Sequence, residues 1–307
     1  ADLGDQIIMD AVRRELAEIF PDALMLSVAS HEWMGAKSRG LVKNAELAIA
    51  SGTNLLSSRM WFRSPWKIGF RDALTIGSVV LMGCGWYQYQ RAVDPYSRWL
   101  LRRVLSGQHM HAVRDSYSKA NLARIGISNV VNTSCPTLWR FTPEHCQALP
   151  RDKARDVVTT VNTYIKDRDA DARMLQLLRA RYETVHLWVQ TEEDWAYASD
   201  LVPGLTRLVP SLAAFDTLLD SHPSLDYVGN RLHGGIRALQ KGRRAVIVEV
   251  DNRAAEMGAD FDLPTVARTD FEALDRLIQT PFEIHVKPPM KAIQAWKDQF
   301  LQTLSPD

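Results

Sequence analysis

The chain has 307 residues, of which 46% are hydrophobic and 24% are charged. This is the composition of an ordinary globular protein, and the length suggests two domains. The 37 basic and 36 acidic side chains nearly cancel, which gives no reason to expect a nucleic-acid partner. No apolar run in the sequence approaches the ~20 residues that cross a bilayer, so we expect at most peripheral membrane association. The cysteines Cys84, Cys135 and Cys146 lack metal-ligand spacing and predict reduced thiols in a cytoplasmic protein.

The first predicted helix follows the turn Leu3-Gly4-Asp5-Gln6. Apolar residues recur at helical spacing over residues 7–20. Gly4 would permit a close approach of the backbone to a ligand, and Asp5 could be the N-cap residue of the helix or a catalytic base. Because the chain begins beside this turn, we expect that a first strand could lie upstream and that the sequence could be a fragment.

Short strands and helices alternate through the first half of the chain. Two strands end in small residues, Ser51-Gly52-Thr53-Asn54 and Gly83-Cys84-Gly85, where open α/β sheets usually place ligand loops. Trp86 and Tyr87 follow the second loop and could stack on a sugar face, with packing in the core or on the surface as the alternative. The patterns predict strands at residues 23–28, 46–50, 79–82, 109–113 and 129–133, and a helix at residues 96–105.

Arg114 ends the strand predicted at residues 109–113. It could contact an anion, or it could form a surface ion pair with Asp115. Ser116 and Ser118 follow and are predicted to cap the next helix. A His-x-His pair lies on the same strand, but the sequence supplies no further ligands at useful spacing, so we exclude a metal site there.

The polar segment at residues 144–155 predicts a domain linker. Beyond it the sequence Thr191-Glu192-Glu193-Asp194 has the pattern of a capping box. Residues 209–215 are predicted to be mostly helical, and residues 257–266 to be a loop and a short strand. The remaining predicted elements are strands at residues 156–161 and 184–189 and helices at residues 169–182, 271–278 and 291–304.

The most informative stretch runs from residue 225 to residue 253. A strand ends in the turn before Arg231-Leu232-His233, a helix follows at residues 234–240, and a second strand at residues 245–250 is closed by Asp251-Asn252-Arg253. This pattern is half of a doubly wound unit. The N-terminus of a helix suits an anion, and Arg231 and His233 add charge and a titratable proton there. We therefore predict a site for a phosphate-bearing substrate. The alternatives are a salt bridge for Arg231 and a local hydrogen bond for His233.

Two α/β halves joined by a polar linker predict a two-domain α/β fold. We expect two Rossmann-like domains that face a cleft. The first domain would comprise residues 1–148 and the second residues 149–288. Residues 289–307 would form a C-terminal helix that could pack back on the first domain.

These motifs resemble those of the polysaccharide pyruvyl transferase family. The resemblance rests on the Gly-Asp turn at residues 3–7, on residues 113–118, on Asp226-Tyr227-Val228-Gly229-Asn230-Arg231-Leu232-His233 and on residues 250–253. It implies a GT-B-like fold and transfer of pyruvate from phosphoenolpyruvate to two hydroxyls of a sugar, which yields a cyclic ketal and free phosphate. It implies no cofactor besides this donor substrate, and a glycan or a lipid-linked sugar as the acceptor.

The resemblance also implies roles for particular residues. Arg114, Arg231, Leu232 and His233 would contact phosphoenolpyruvate. The two anionic groups of this substrate need several cations, and Arg253 is a further candidate. The family usually has lysine at the position of Arg253, and an arginine fork can replace lysine where the residue only binds an anion.

Catalysis and acceptor binding need other groups. His233 is the candidate acid that protonates the enol carbon, and Asp5 is the candidate base for a sugar hydroxyl. Gly52, Asn54, Trp86 and Tyr87 are predicted to line the acceptor side. The family's glycine-rich loop carries an acidic residue, whereas this chain has Ser51-Gly52-Thr53-Asn54.

Two other functions fit the same residues. One is a nucleotide-sugar glycosyltransferase of the GT-B type, in which the arginines would hold a diphosphate. The other is a non-catalytic protein that binds glycans or anions. The sequence does not distinguish oligomeric states or acceptor sugars.

Overall fold

The structure is a computed structural model that describes residues 3–301. The described chain divides into two compact units. Residues 3–7 and Arg140–Lys287 form the large-sheet unit, and Ile8–Trp139 with residues 288–301 form the small-sheet unit. None of the helices at residues 3–301 is both long and apolar enough to traverse a lipid bilayer.

The small-sheet unit contains two pairs of parallel strands. Strand β1 pairs with β2, and β3 pairs with β4. Its core contains Trp86 and many aliphatic side chains from the strands and the helices. In chain order the elements are α1 (Leu3–Ile19), α2 (Ala36–Asn44), β1 (Ala48–Ser51), α3 (Phe70–Thr75), β2 (Val79–Met82), α4 (Pro95–Val104), β3 (His111–Val113), α5 (Ser116–Arg124) and β4 (Val130–Asn132).

The large-sheet unit is built on a six-stranded parallel sheet. The chain continues with α6 (Pro143–Gln147), β5 (Asp156–Thr159), α7 (Arg168–Arg181), β6 (Val185–Trp188), α8 (Glu192–Leu201), β7 (Thr206–Leu208), α9 (Leu212–Ser221), β8 (Leu225–Gly229), α10 (Leu232–Gln240), β9 (Ala245–Glu249), α11 (Asn252–Phe261), β10 (Thr265–Ala267) and α12 (Phe271–Gln279). The strand order is β10-β9-β8-β5-β6-β7. The last helix, α13 (Met290–Leu301), belongs to the small-sheet unit.

The parallel sheet and the alternating helices confirm the predicted α/β class. Most predicted strands and helices lie within a few residues of their predicted bounds. Burial explains this agreement, because the strands of a parallel sheet are apolar throughout. Strand β5, for example, is buried along its whole length.

One predicted strand was wrong, and several short elements were not predicted. Residues 23–28 form no strand, and Leu24 and Leu26 are exposed there, so the apolar run has no sheet to join. Strand β7 was not predicted, because its three residues are too few and too exposed to show a pattern. Helices α2 and α3 were not predicted. Helix α2 has no buried residue within its nine residues, so its sequence lacks an apolar stripe.

Helix α11 extends to Phe261, although residues 257–261 were predicted to be a loop. Gly258 favoured the loop prediction, but it has a packing role within the helix. A Cβ at residue 258 would lie 2.4 Å from Oγ1 of Thr265, so glycine lets α11 lie close to β10.

Two capping predictions also need correction. Asp5 is the third residue of α1 rather than its N-cap, because the helix begins at Leu3. Asp115 caps α5, with its Oδ1 accepting a hydrogen bond from the Ser118 N–H at 2.6 Å. An aspartate competes well with serine for this position, and here it directly precedes the first helical residue, Ser116.

Candidate functional site

The order of the strands creates a topological switch point in the large-sheet unit. The chain runs from β5 to β6 and β7 on one side and then returns to place β8 on the other side of β5. The connections after β5 and β8 therefore diverge at the carboxyl ends of two neighbouring strands, where open α/β sheets bind ligands. Thr160 follows β5 and Arg231 follows β8, and the Arg231 N–H donates to Oγ1 of Thr160 at 3.2 Å.

Arg231 is held at this switch point by three kinds of contact. Its Nε donates to the carbonyl oxygen of Val161 at 3.0 Å. Its Nη2 lies 3.2 Å from both carboxylate oxygens of Asp194. Its Cζ lies 5.5 Å from the ring centroid of Tyr164. Only 8% of the Arg231 side chain is exposed, so the guanidinium is oriented by the protein and reaches solvent at its edge.

Asp194 performs two structural tasks. Its Oδ2 accepts hydrogen bonds from the backbone N–H groups of Gln190 and Thr191 at 2.9 and 3.2 Å, which forms a capping box at the start of α8. Its Oδ1 accepts a bond from Oγ1 of Thr163 at 2.8 Å. The sequence predicted the capping box. The link to Arg231 was missed, because the two residues lie 37 positions apart.

Arg231, Leu232 and His233 occupy the N-terminus of α10. Arg231 is the N-cap residue, and Leu232 and His233 begin the helix with their side chains buried. An arginine side chain contains only hydrogen-bond donors, so it cannot cap the helix by accepting from the first-turn N–H groups. A basic residue at a helix N-terminus also opposes the helix dipole. This arrangement favours an anion as an additional partner.

Two glycines bring α10 close to the sheet. A Cβ at Gly234 would lie 2.9 Å from the hydroxyl of Tyr227, and a Cβ at Gly235 would lie 2.4 Å from Cγ1 of Ile247. The Tyr227 hydroxyl donates to the Arg231 carbonyl oxygen at 2.7 Å, and burial raises the pKa of Tyr227. The position of the helix N-terminus is therefore set by close packing on β8 and β9.

A second buried ion pair lies at the same edge of the sheet. Nη2 of Arg268, directly after β10, lies 2.8 Å from both oxygens of Asp171. Asp171 also accepts hydrogen bonds from the Tyr197 hydroxyl at 2.6 Å and from Nδ2 of Asn230 at 3.3 Å. Burial and the bond to Asp171 raise the pKa of Tyr197. This pair braces the turn that precedes Arg231, and the position of Arg268 at a strand end was the signal that could have revealed it.

The charge of Arg253 is paired with a nearby carboxylate at the start of α11. Its Nε lies 2.7 Å and its Nη2 2.6 Å from Oδ2 of Asp251. Asp251 is the N-cap of α11 and accepts from the Arg253 N–H at 2.9 Å. The side chain is 31% exposed, so it remains accessible to an anion from solvent.

Arg114 and Asn54 come together in the small-sheet unit. Nη2 of Arg114 donates to Oδ1 of Asn54, and Nε lies 3.4 Å from Oδ2 of Asp115. Both side chains are completely buried, so the predicted pair of Arg114 and Asp115 is present but does not lie on the surface. Gly85 leaves room for the guanidinium, because a Cβ at residue 85 would lie 2.2 Å from Nε of Arg114.

The other residues predicted on the acceptor side differ in exposure. Gly52 has a φ of +59°, and a Cβ there would lie 2.1 Å from Cγ2 of Ile8, so this turn requires glycine. Trp86 is fully buried, and its Nε1 donates to Oε1 of Gln90 at 2.7 Å. This environment matches the packing alternative for Trp86. Tyr87 is partly exposed and keeps a ring surface available.

Asp5 and His111 complete the set of candidates. Asp5 is partly buried in the first turn of α1, within the large-sheet unit. His111 is a core histidine, whose Nδ1 accepts from the Leu81 N–H at 3.2 Å and whose Nε2 lies 2.9 Å from the Ser106 carbonyl oxygen. Burial lowers the pKa of His111 to about 4.

Within residues 3–301 we find no group of three or more acidic, cysteine or histidine residues that could hold a metal ion.

One of two comparisons with known proteins matches these motifs. A search among curated proteins found no match. The sequence model of the polysaccharide pyruvyl transferase family matches residues 2–252, which include Asp5, Arg114 and the start of α10. The match ends one residue before Arg253. Because it covers most of the 307 residues, the chain belongs to the polysaccharide pyruvyl transferase family, which is a family of enzymes.

Proposed function

We propose that the protein transfers pyruvate from phosphoenolpyruvate to two hydroxyls of one sugar in a glycan or a lipid-linked precursor. The enol carbon gains a proton and becomes a methyl group. Two sugar oxygens bond to the adjacent carbon, and the bond from this carbon to the phosphate oxygen breaks. The two sugar hydroxyls release two protons. One of them restores the acid that protonated the carbon, and the other leaves with phosphate. No cofactor is needed for this balance.

The start of α10 at the switch point is the observation that carries the proposal. Phosphoenolpyruvate has a carboxylate and a phosphate. The oriented guanidinium of Arg231 and the first-turn N–H groups of α10 are suited to anions of this kind. Leu232 would pack against the methylene carbon. Asp194 holds Arg231 in place from the side at 3.2 Å.

His233 is our candidate for the acid that protonates the enol carbon. Imidazole can supply a proton near neutral pH, and the side chain is nearly buried at the second helical position. Burial restricts the competing approach of water to the reacting carbon. Asp5, in the first turn of α1, is our candidate for the base that removes a proton from the sugar hydroxyl.

Arg114 and Arg253 are proposed as further contacts for phosphoenolpyruvate. Arg253 is partly exposed, so it can turn toward an anion without a change in the backbone. Arg114 is fully enclosed, so a direct contact requires its guanidinium to become accessible. If it stays enclosed, Arg114 instead orders Asn54 and the loop that carries it.

The acceptor side and the arrangement of domains are also proposed here. Gly52, Asn54 and Tyr87 are our acceptor-side residues, while Trp86 would support them from the core.

The parallel strands within each unit are consistent with two Rossmann-like domains of the GT-B type. The three cysteines are buried and form no disulfide, which supports a cytoplasmic location.

The central experiment measures phosphate release from phosphoenolpyruvate with a panel of glycans, together with detection of the ketal by mass spectrometry. We expect His233→Ala to lose at least about a hundredfold in rate, as is typical for removal of a general acid. A matched control is His145→Ala, because His145 lies in the same unit and contacts the Leu239 carbonyl oxygen at the other end of α10. Full turnover by His233→Ala would refute the assigned role.

Thermal unfolding with ligands separates the proposed donor from the rival donors. Phosphoenolpyruvate should raise the melting temperature, and nucleotide sugars should leave it unchanged. The opposite result would favour a nucleotide-sugar glycosyltransferase. Stabilisation by phosphoenolpyruvate without turnover on any glycan would favour a binding protein.

A further inference from the structure

One segment of the small-sheet unit is strongly basic although the whole chain is nearly neutral. Residues 56–104 contain eight basic side chains and two acidic ones. The basic residues are Arg59, Arg63, Lys67, Arg71, Arg91, Arg98, Arg102 and Arg103, and the acidic residues are Asp72 and Asp94. Where such side chains share one surface, they attract anionic surfaces over about a Debye length, ~8 Å at physiological salt.

Both carboxylates of this segment already accept hydrogen bonds within the protein. Asp72 accepts hydrogen bonds from Nε of Arg39 at 2.7 Å and from the Gly69 N–H at 2.8 Å, and it is buried. Asp94 caps α4 by accepting from the Tyr96 and Ser97 N–H groups, each at 3.1 Å. Both carboxylates are therefore occupied by hydrogen bonds, and the basic side chains of the segment still outnumber them by eight to two.

Exposed apolar side chains lie among the arginines on the outer surface of α3 and α4. Phe70 on α3 stacks on Trp99 of α4, with ring centroids 5.3 Å apart and an angle of 19° between the rings. Phe70 is 57% exposed and Leu74, one turn later, is 53% exposed. We call this surface, formed by Phe70, Arg71, Leu74, Arg98, Trp99, Arg102 and Arg103, the α3/α4 face; all seven residues are exposed.

The shape of the α3/α4 face fits a lipid surface. An open groove of about 480 Å³ runs along α4 and is lined by Pro95, Arg98, Trp99, Arg102 and Arg103. The face thus combines a shallow depression, aromatic rings and arginine side chains. Aromatic rings are favoured at the depth of lipid headgroups, and arginines pair with the phosphates of those headgroups.

Other occupants fit this surface less well. A second copy bound through the same face would bring its Arg98, Arg102 and Arg103 against identical charges. A soluble polyanion would pair with the arginines but would leave Leu74 and Phe70 in water. An anionic bilayer satisfies both features, because it offers phosphates and an apolar layer beneath them.

We propose that the α3/α4 face docks the protein on membranes that contain anionic phospholipids. The docking is peripheral and reversible. It does not depend on the proposed transferase reaction, and it would bring the enzyme to a lipid-linked acceptor if the acceptor is of that kind.

The experiment is co-sedimentation of the full chain with lipid vesicles. We expect binding to vesicles of phosphatidylcholine with about 30% phosphatidylglycerol, little binding to phosphatidylcholine alone, and release in about 0.5 M salt. A variant with Arg98→Glu, Arg102→Glu and Arg103→Glu should bind at least about a hundredfold more weakly, since each basic residue near an anionic membrane contributes a factor of about five. A second variant, Phe70→Ala with Trp99→Ala, should bind about tenfold more weakly.

The matched control reverses three exposed charges of the other unit, through Arg151→Glu, Arg168→Glu and Lys287→Glu. These side chains are 58%, 60% and 71% exposed and form surface ion pairs, which contribute little to stability. The control should keep vesicle binding to within about threefold, because it leaves the α3/α4 face intact.

Several results would overturn the proposal. One is equal binding to neutral and anionic vesicles. Another is unchanged binding by the Arg98, Arg102 and Arg103 variant, with its melting temperature preserved. Binding to dextran sulfate without binding to vesicles would assign the face to polyanions. Self-association that the same variant abolishes, without vesicle binding, would assign it to a second copy. Because the readout is vesicle binding, it is independent of pyruvyl transfer.

Discussion

The guanidinium of Arg231 lies 3.2 Å from both carboxylate oxygens of Asp194. This ion pair joins the N-cap of α10 to the capping box of α8. Both side chains are nearly buried, so the pair orients Arg231 more strongly than a surface ion pair could. An anion bound at α10 would share the guanidinium with Asp194.

The first prediction concerns Asp194→Asn. Removing one charge from a buried pair leaves Arg231 without its carboxylate partner, and such changes cost about 3 kcal/mol of unfolding free energy. The amide oxygen can still accept from the backbone at the start of α8, so the fold should persist. Phosphoenolpyruvate should raise the melting temperature of this variant more than that of the wild type, because the ligand then replaces the missing anion.

The control for Asp194→Asn is Asp216→Asn in the same unit. Asp216 pairs with Arg237 at 2.7 Å, and both side chains are about one-fifth exposed. We expect a cost of about 1 kcal/mol or less and an unchanged response to phosphoenolpyruvate. If the two variants respond to the ligand alike, Arg231 is not part of its site.

The second prediction concerns Tyr164, whose ring lies 5.5 Å from Cζ of Arg231 and is 72% exposed. Tyr164→Ala removes a cation–π contact from the proposed site. An exposed contact of this kind contributes about 0.5–1 kcal/mol, so the unfolding free energy should fall by no more than that amount. KM for phosphoenolpyruvate should rise by up to about fivefold, because Arg231 is less well oriented. Tyr164→Phe keeps the ring and should behave as the wild type. An equal loss in both variants would point instead to the hydroxyl.

The third prediction concerns the space that Gly85 leaves for Arg114. In Gly85→Ala the new Cβ would lie 2.2 Å from Nε of Arg114, so the buried guanidinium must shift. We expect a loss of about 1–3 kcal/mol in unfolding free energy, which is typical of overpacking. Gly107→Ala is the control, because a Cβ at residue 107 meets nothing within 4 Å.

A double-mutant cycle identifies the cause of that loss. If the clash with Arg114 is responsible, the penalty of Gly85→Ala should largely vanish when Arg114→Ala is already present. The coupling energy between contacting residues measured in such cycles is about 0.5–3 kcal/mol. Additive effects of the two substitutions would show that the alanine strains the backbone instead. Phosphate release by Arg114→Ala then reports separately on substrate binding.

The fourth prediction concerns pH and His111. Burial, with a smaller contribution from His109, lowers the pKa of His111 from 6.5 to about 4. Between these values the unfolded chain binds a proton that the folded protein does not bind. The contribution of His111 to stability is therefore complete above pH 6.5 and is lost as the pH falls toward 4.

Denaturant unfolding at several pH values measures this effect. From pH 7 to pH 4 the wild type should lose about 3 kcal/mol that His111→Gln does not lose, given ~1.4 kcal/mol for each pKa unit. The difference between the two proteins isolates His111 from the carboxylates that titrate in the same range. Parallel stability curves for the two proteins would contradict the prediction.

Local patterns explain why much of the fold was predictable. Apolar strands such as β2 and β9 are buried along most of their length, and the capping box at Thr191 and Asp194 is a signal within four residues. Where burial is weak, prediction failed. Helix α2 has no buried residue, and the apolar side chains at residues 23–28 are mostly exposed, so neither segment shows the pattern of its true structure.

The sequence by itself determined the α/β class, the helix start at Arg231, Leu232 and His233, and the resemblance to the pyruvyl transferase family, because each depends on neighbouring residues. Only the tertiary structure decided what holds those residues. Asp194 reaches Arg231 across 37 positions and Asn54 reaches Arg114 across 60. Such pairs form only after the strand order has brought the ends of distant strands together. The pattern of residues along the chain does not specify that order.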